Sequence, residues 1–302
     1  MMRIGIDVGG TKIEGIALNE SGAITQRVRV DTPRSYDACL DAIVHVVRQI
    51  EHAMSREGTV GVGIPGVIVP STGLVKNANS VWLNGQPLAA DLARALARPV
   101  RVANDANCFA LSEATDGAAA GAAVVFGVIL GTGVGGGIVV HGDCLTGPNL
   151  IAGEWGHNPL PWPTPDELPG ALCYWGRHGC IETWLSGPGC ARDFHSHTGD
   201  ESAAQVIVLR ALRGDGPARE ALTRYYERLG RALAAVINLL DPDVIVLGGG
   251  MSNMPGLTEA AANAVIPWVF SDTMLTRIVQ NTHGDSSGVR GAAWLWPLAS
   301  GA

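Results

Sequence analysis

The chain lacks the features that mark membrane proteins, nucleic-acid-binding proteins and disulfide-rich secreted proteins. Among its 302 residues, no apolar run approaches the ~18 residues that a bilayer-spanning helix needs. No basic tract of the kind that follows nucleic-acid phosphates or anionic membranes occurs, and the net charge is −7. Six cysteines are scattered over the chain, so disulfides are not expected. The sequence therefore predicts a cytoplasmic protein that binds neither nucleic acid nor membranes.

Two familiar nucleotide-binding signatures are also missing. No G-x-x-x-x-G-K-[ST] string is present, which excludes a P-loop protein. The glycine turns at Gly9 and Gly131 open onto strand-like segments, whereas a Rossmann turn should open onto a helix. The strand-like pattern begins by Arg3, which leaves no room for a signal peptide. A nucleotide site on these turns must therefore belong to another fold.

Apolar residues and glycines, in contrast, are plentiful. Hydrophobic residues make up 47% of the chain and charged residues 16%, which is typical of a compact globular protein. The 40 glycines cluster in a few loops and therefore look positional rather than low-complexity. The length is a soft indication of two domains with ample core.

One order of elements occurs twice along the chain. Residues 3–8 form an apolar strand that enters a glycine turn with a threonine and returns as a strand over residues 13–18. Residues 123–130, the turn 131–137 and residues 138–141 repeat that order with few matching residues. Two such halves predict a duplicated α/β fold with a cleft between them.

The remaining pattern predicts helices, short strands and one long loop. The loop over residues 71–86 is a candidate for function because of its length. The other predicted elements are strands over 24–30, 60–64, 100–103 and 243–247, and helices over 36–57, 87–97, 181–193, 217–240, 255–268 and 286–296.

Three glycine turns follow apolar strands, near Gly9, Gly131 and Gly248. Backbone N–H groups can crowd around a phosphate in such turns, because glycine has no Cβ to hold the main chain away. Three turns in one chain, two of them in the repeated halves, favour a split nucleotide site. Asp7 is placed to hold hydrated Mg²⁺ near the phosphates. Alternatively, Asp7 is a buried hairpin aspartate bonded to the Thr11 hydroxyl.

Asn104 and Asp105 follow the strand over residues 100–103 and open a helical pattern. A carboxylate at a strand end, flanked by amides, suits a general base that faces an alcohol. On local evidence alone, the better interpretation of Asp105 is a helix N-cap. Asn104 can be a sugar-hydroxyl ligand or a turn amide that bonds its own backbone.

Together these motifs resemble the actin-like sugar-kinase superfamily, on residues 7–12, 131–133 and 248–252. The segment 153–157, G-E-W-G-H, followed by residues 173–182, narrows the resemblance to the bacterial ROK sugar kinases. The resemblance covers essentially the whole chain. It implies an α/β, two-domain, actin-like (ribonuclease-H-like) duplicated fold with an interdomain active-site cleft. The implied domains are 1–117, completed by a C-terminal helix over 286–302, and 118–285.

The resemblance also implies ATP with Mg²⁺, a small-molecule sugar, a homodimer and the site residues. Asp105 becomes the catalytic base that accepts the proton of the attacking hydroxyl. For Glu182, an alternative is that it only favours the N-terminus of its helix through the dipole. The expected sugar ligands are Asn79, Asn104, Asp105, Glu154, His157 and Glu182. The expected nucleotide contacts are Asp7, Gly9, Gly10, Thr11, Lys12, Gly131, Thr132, Gly133, Val134, Gly135, Gly248, Gly249 and Gly250.

The identity of the sugar is less clear from the sequence. Segments 77–85 and 158–162 resemble the fructokinase/mannokinase members, whereas segments 107–114 and 130–137 resemble the N-acetylglucosamine kinases. The first pair has more weight, since the 71–86 loop should lie at the sugar. We therefore expect phosphorylation of D-fructose to fructose 6-phosphate. The alternatives are an N-acetylglucosamine, mannose or glucose kinase, or a non-catalytic sugar-sensing ROK protein. A ROK repressor would need a helix-turn-helix domain before the first glycine turn, where six residues stand.

The resemblance further implies a structural zinc, held by a histidine and a C-x-C-G-x-x-G-C segment. Here Trp175 replaces the middle cysteine, so His157, Cys173 and Cys180 remain. A closed structural zinc takes four ligands, and His178 or water would be the fourth. We expect zinc; the alternative is a metal-free site packed by the indole.

Overall fold

The computed structural model describes residues 2–296 and shows a mixed α/β structure with two five-stranded sheets. The strands, in chain order, are β1 (Arg3–Val8), β2 (Lys12–Leu18), β3 (Ile24–Asp31), β4 (Thr59–Ile64), β5 (Val67–Ile68), β6 (Val75–Lys76), β7 (Val100–Asn104), β8 (Val124–Leu130), β9 (Val134–Val140), β10 (Asp143–Cys144), β11 (Val244–Gly248) and β12 (Arg277–Gln280).

The first sheet has the order β3-β2-β1-β4-β7. β1, β2 and β3 are antiparallel, as strands joined by short turns commonly are, whereas β4 and β7 are parallel to β1. β3 alternates between more and less exposed residues because it is the edge strand, while β1 in the middle is largely buried. The carboxyl ends of β1, β4 and β7 therefore meet at one edge of this sheet.

The second sheet has the order β10-β9-β8-β11-β12. β11 is parallel to both β8 and β12 and is buried over all its residues, which is typical of a central parallel strand. β5 and β6 form a separate two-stranded hairpin.

Helices cover both sheets. They are α1 (Tyr36–Met54), α2 (Leu88–Leu96), α3 (Asp105–Asp116), α4 (Glu182–Leu185), α5 (Gly187–Thr198), α6 (Ala204–Leu212), α7 (Gly216–Leu240), α8 (Leu257–Val265) and α9 (Ser287–Trp294). α3 is buried over most of its length because α9 packs closely against it. At the contact, a Cβ on Gly291 would overlap the backbone of Cys108. Among the described residues, no helix is long and apolar enough to cross a membrane.

The structure corrects several predicted elements. The predicted helix over 181–193 is two helices, because the Ser186 backbone is extended and its hydroxyl caps α5. The predicted loop over 71–86 contains β6 and a 3₁₀ turn, Val81–Leu83. α6 and β12 were not predicted. The end of the predicted C-terminal helix, residues 297–302, lies outside the described residues.

The chain divides into two compact units. The first contains the chain up to Gly121, the segment Gly137–Ala152 and the described residues from Asp285 onward. The second contains Ala122–Gly136 and Gly153–Gly284. The predicted division, with boundaries at residues 117 and 285, assigned residues 137–152 to the C-terminal domain. The predicted domain boundaries stay a prediction.

Candidate active site

Asn104, not Asp105, is the N-cap of α3. Asn104 Oδ1 accepts hydrogen bonds from the backbone N–H groups of Ala106 (2.9 Å) and Asn107 (3.4 Å). Asp105 is the first helical residue, and its Oδ1 accepts from the Ala106 N–H at 2.8 Å. The local interpretation of Asp105 as the cap was therefore wrong by one residue. The carboxylate stands at the carboxyl end of β7 and at the N-terminus of α3, beside the positive end of the helix dipole.

The turn at Pro65 and Gly66 connects this strand end to the hairpin loop. Asn104 Nδ2 donates to the Gly66 carbonyl at 3.4 Å, and the Asn79 N–H donates to the Pro65 carbonyl at 3.2 Å. The Asn79 side chain is exposed. The turn thus links the backbone of Asn79 to the side chain of Asn104, which directly precedes Asp105, within the first unit.

Asn84 holds the loop beside Asn79 in place. Its Oδ1 accepts from the Ala78 N–H at 2.8 Å, and its Nδ2 donates to the Ala78 carbonyl at 3.0 Å. The sequence analysis did not single out Asn84. The Asn84-Gly85 pair is a turn signal, but only the structure shows that it supports a predicted ligand.

Asp7 lies near the end of β1, at the same sheet edge as Asn104. Its register partner on β4 is Gly63, and Gly63 in turn pairs with Ala103 on β7. A Cβ on Gly63 would lie 3.7 Å from Asp7 Oδ1, so the glycine leaves space beside the carboxylate. Burial and, secondarily, the Glu14 carboxylate raise the pKa of Asp7 to about 6, against the opposing effect of Lys12. Such a carboxylate becomes fully ionised most readily with a cation beside it.

The turn from Gly9 to Lys12 is closed by backbone hydrogen bonds. The Gly9 N–H donates to the Lys12 carbonyl at 3.0 Å, and the Thr32 hydroxyl donates to the Gly9 carbonyl at 2.8 Å. Gly10 is exposed, and a Cβ there would have no neighbour within 4 Å. Thr11 is exposed at the same turn, so both present polar groups to solvent.

In the second unit, the other two glycine turns leave the same edge of a sheet. Gly248 at the end of β11 pairs with Ile129 near the end of β8. Gly249 has a φ of +82°, and a Cβ there would lie 2.5 Å from the Leu130 carbonyl oxygen. The Ser252 hydroxyl donates to the Gly249 carbonyl at 2.7 Å and fixes the turn. The loops at Gly131 and Gly248 are therefore neighbours, as a shared nucleotide site requires.

The glycines of the 131–137 turn differ in how closely neighbouring atoms surround them. A Cβ on Gly131 would meet only one atom within 4 Å, at 3.9 Å, so this position is open. A Cβ on Gly133 would lie 2.6 Å from Glu182 Oε2, and a Cβ on Gly136 would lie 2.7 Å from the Trp155 ring. Close packing alone accounts for Gly133 and Gly136, whereas it does not account for Gly131.

Glu154, His157 and Glu182 come together next to this turn. Glu182 begins α4, and its Oε2 accepts from the Val134 N–H at 3.0 Å. Trp155 lies between Glu154 and His157 in sequence and donates from its indole N–H to the Gly135 carbonyl at 3.1 Å. Glu154 is exposed as a residue, yet its carboxyl group is surrounded closely enough that desolvation raises its pKa, with Glu182 adding to the shift and His157 opposing it.

His157 contacts two side chains of the cysteine segment. Cys173 Sγ lies 3.5 Å from His157 Nδ1, and the Tyr174 hydroxyl lies 3.1 Å from Nε2. Burial raises the pKa of the Cys173 thiol and that of the Tyr174 phenol. Tyr174 was not predicted to be a site residue, although it stands within the segment that the sequence singled out.

The predicted zinc ligands do not form a four-ligand set. Across residues 2–296, the candidate cluster with ligand atoms within 4.8 Å of one another is His157, Cys173 and Glu182. Cys180 accepts the Trp175 indole N–H at 3.4 Å, and His178 Nδ1 lies 3.0 Å from the Gly170 carbonyl. Among the described residues, the predicted ligands are therefore not brought together as the four-ligand set of a closed structural zinc.

The functional groups of the first unit and those of the second unit thus suit different chemical tasks. In the first unit, a helix-start carboxylate beside a capping amide can accept a proton and hydrogen-bond an alcohol. In the second unit, adjoining glycine turns offer backbone N–H groups to phosphate, and nearby carboxylates and an imidazole can bond hydroxyl groups in pairs.

Comparison with known proteins agrees with this chemistry. Residues 3–299 match the model of the ROK family. An N-acetyl-D-glucosamine kinase of Escherichia coli O139:H28 is 41% identical over 300 residues, covering 97% of this chain and 99% of that protein. The structure is similar to the ROK hexokinase of Thermus thermophilus, with a TM-score of 0.86, 30% identity and 97% of each chain covered. It is also similar to a ROK family glucokinase of Streptomyces griseus in complex with glucose and AMPPNP, with a TM-score of 0.79, 28% identity and 98% and 99% of the chains covered.

These findings confirm the predicted family and the predicted α/β, actin-like fold class. They also establish the coarse activity, since the relatives described above, which match over nearly the whole chain, are sugar kinases. A fructokinase is not among the relatives described above, and the sugar is not established by them. The chain belongs to the ROK family of sugar kinases.

Proposed function

We propose that this protein transfers the γ-phosphoryl group of ATP to O6 of a hexose, with Asp105 as the general base. The observation that carries this proposal is the position of Asp105 at the carboxyl end of β7, directly after the capping residue Asn104. Asn104 Oδ1 accepts from the helix backbone and Nδ2 donates one hydrogen to the Gly66 carbonyl, which fixes the side chain and leaves the second Nδ2 hydrogen to orient an acceptor hydroxyl. The carboxylate then takes the proton of that hydroxyl as the phosphoryl group arrives.

For the acceptor, we propose N-acetyl-D-glucosamine. Its support is the relative of that name, which is 41% identical over nearly the full length. D-Fructose, the sugar that the sequence analysis favoured, is the second candidate. Its support is the resemblance of segments 77–85 and 158–162 to fructokinases, and Asn79 in the first of them is held beside Asn104 by the Pro65–Gly66 turn.

For the nucleotide, we propose that Mg²⁺ is held through water by Asp7, beside the phosphates. The open, exposed Gly10 and the open Gly131 support phosphate contacts at both turns, and the Gly248–Gly250 loop would lie by the adenosine. The S. griseus relative, which was solved with AMPPNP, supports a nucleoside triphosphate as the donor. When bound, the metal supplies charge neutralisation for the transferred group.

For the sugar contacts on the second unit, we propose Glu154, His157 and Glu182. A carboxylate–imidazole set bonds vicinal hydroxyls in pairs. The effects of His157 and Glu182 on the pKa of Glu154 support this proposal. Zinc is not part of the proposal, because the candidate cluster supplies three donors and a closed structural site takes four. A homodimer, implied by the family resemblance, stays a prediction.

The test is a coupled ADP-release assay over N-acetylglucosamine, fructose, mannose and glucose, each at a range of concentrations. We expect the highest kcat/KM with N-acetylglucosamine. A higher kcat/KM with fructose would replace the first candidate by the second. No ADP release with any hexose, from a protein that binds ATP, would overturn the proposed phosphoryl transfer.

A further inference from the structure

A continuous series of polar contacts runs from Tyr174 to the glycine turn. The Tyr174 hydroxyl meets His157 Nε2, and His157 Nδ1 meets Cys173 Sγ. The Cys173 thiol donates in turn to Glu182 Oε1 at 3.9 Å. Glu182 Oε2 accepts from the Val134 N–H at 3.0 Å. All five residues lie in the second unit.

The contact between Cys173 and Glu182 sets the direction of the donors and acceptors in this series. An ionised carboxylate can only accept, so the proton between Cys173 and Glu182 belongs to the thiol. The sulfur that donates this proton is then an acceptor toward His157, and Nδ1 is the nitrogen that carries hydrogen. In a neutral imidazole the other nitrogen must accept, which suits the Tyr174 hydroxyl as donor. Every group in the series is satisfied.

Trp175 completes the arrangement from the other side. Its indole N–H donates to Cys180 Sγ at 3.4 Å, and the Cys180 thiol donates to the His157 carbonyl at 3.4 Å. The residue that replaces a cysteine of the C-x-C-G-x-x-G-C pattern therefore bonds directly to one of the two cysteines that remain. The same indole lies with its ring centroid 6.1 Å from that of His157.

We propose that this thiol–indole–imidazole network takes the place of a structural zinc and fixes His157 as the Nδ1–H tautomer. Zinc binding would require both thiols to lose their protons and the cysteines to give up their contacts with Glu182 and with the His157 carbonyl. In the network, Cys173 and Tyr174 are positioning residues for the imidazole, and Nε2 is an acceptor. The proposal concerns the free protein and is independent of which sugar it phosphorylates.

The first experiment measures metal content and its effect on unfolding. Protein without a polyhistidine tag is incubated with one equivalent of Zn²⁺, desalted and analysed by mass spectrometry for zinc. We expect less than about 0.1 zinc per chain and a melting temperature that EDTA does not change. Zinc near one per chain, or a melting temperature that EDTA lowers by several degrees, overturns the proposal.

A second experiment restores the missing ligand. The variant Trp175→Cys should take up about one zinc per chain and acquire a melting temperature that EDTA lowers, because four ligands are then present. Trp268→Cys, which adds a cysteine at another partly exposed tryptophan, is the matched control and should bind none. If Trp175→Cys binds no more zinc than the control, the indole is not what replaces the metal. If it does not fold, the wild-type zinc content decides.

A third experiment observes the tautomer. Long-range ¹H–¹⁵N spectra distinguish Nδ1–H from Nε2–H imidazoles, and the His157 signals are identified by their loss in His157→Gln. We expect Nδ1–H in the wild type, with Tyr174→Phe shifting the Nε2 resonance and leaving the tautomer unchanged. An Nε2–H tautomer in the wild type overturns the proposed direction of the contacts.

Discussion

The Glu182 carboxylate accepts a hydrogen bond from the backbone N–H of Val134, 48 residues away in the sequence. The same oxygen lies 2.6 Å from the position that a Cβ on Gly133 would take. Glu182 thus supports the glycine turn that we propose for phosphate binding. A sugar contact and a role at the start of α4 are the two explanations of Glu182 that the sequence offers, and the contact with Val134 is a third.

Replacing Glu182 by Gln should therefore affect both substrates. The neutral amide keeps the size of the side chain but weakens the hydrogen bond to Val134, because bonds to charged groups are stronger. We expect the KM for ATP to rise about three- to tenfold, which corresponds to a loss of about 1 kcal/mol, together with a rise in the KM for the sugar. Steady-state kinetics with each substrate varied in turn measures this. An unchanged KM for ATP would exclude the supporting role, and Glu220→Gln, at an exposed position of α7, is the control.

The general-base proposal predicts a loss of rate without a loss of binding. Asp105→Asn keeps the hydrogen-bonding shape at the start of α3 but cannot take a proton. We expect kcat to fall by about 10²–10⁴, with the Kd for the sugar changed less than about threefold. Single-turnover phosphorylation and calorimetric titration measure the two quantities.

A variant that keeps more than a few per cent of the wild-type rate would show that Asp105 is not the base. A fall in both sugar binding and rate would instead make it a ligand alone. Asp272→Asn, at an exposed loop position, should leave both quantities unchanged.

The fold was predictable where the signal was local. The strands that end at Gly9, Gly131 and Gly248 were found because an apolar run before glycine is visible in any window of ten residues. α6 was missed because its sequence contains Val206, Ile207 and Val208, and β-branched residues in a row are typical of strands. Packing against α7 favours the helical conformation of that segment. The break at Ser186 did have a signal, a serine followed by proline two residues later, within what looked like one continuous helix.

The sequence indicated which residues belong to the candidate site, but it did not indicate the contacts between them. Asn104 and Asp105 were both identified, but the capping role belongs to the first, and a shift of one residue cannot be recognised from composition. The contact between Glu182 and Val134 joins segments far apart in the sequence, so no pattern within either of them indicates it. The Trp175 substitution was visible, whereas the hydrogen bond from its indole to Cys180 required coordinates.

The raised pKa of Asp7 predicts a pH-dependent stability. The pKa of about 6 in the folded protein lies above the ordinary aspartate value of 3.8, so the folded state binds the proton more tightly. Stability therefore falls as pH rises from about 4 to about 6 and stays low above that range. Asp7→Asn removes the free-energy cost of ionising a buried carboxylate. It should raise the free energy of unfolding by about 2–3 kcal/mol at pH 8, with little change near pH 4.

Chemical denaturation of both proteins at the two pH values measures this difference. Asp41→Asn, at an exposed position of α1, is the control and should change neither value. An Asp7→Asn protein that is less stable than the wild type at pH 8 would contradict the prediction. The same variant should lose Mg²⁺-dependent activity if Asp7 holds the metal, so that stability and function change in opposite directions.

The contact between α9 and α3 predicts which glycine the fold cannot lose. A Cβ on Gly291 would overlap the Cys108 backbone, and backbone atoms cannot move aside as the end of a flexible side chain can. Gly291→Ala should therefore destabilise the protein by about 3 kcal/mol, although alanine is otherwise the better helix former by about 1 kcal/mol. Gly216→Ala is the matched control, because that glycine begins α7 with open space around it. It should be neutral or stabilising by up to about 1 kcal/mol. Equal midpoints of urea unfolding for the two variants would show that α9 can move away from α3. A lower midpoint for Gly291→Ala alone would show that α9 stabilises α3, the helix that begins at Asp105.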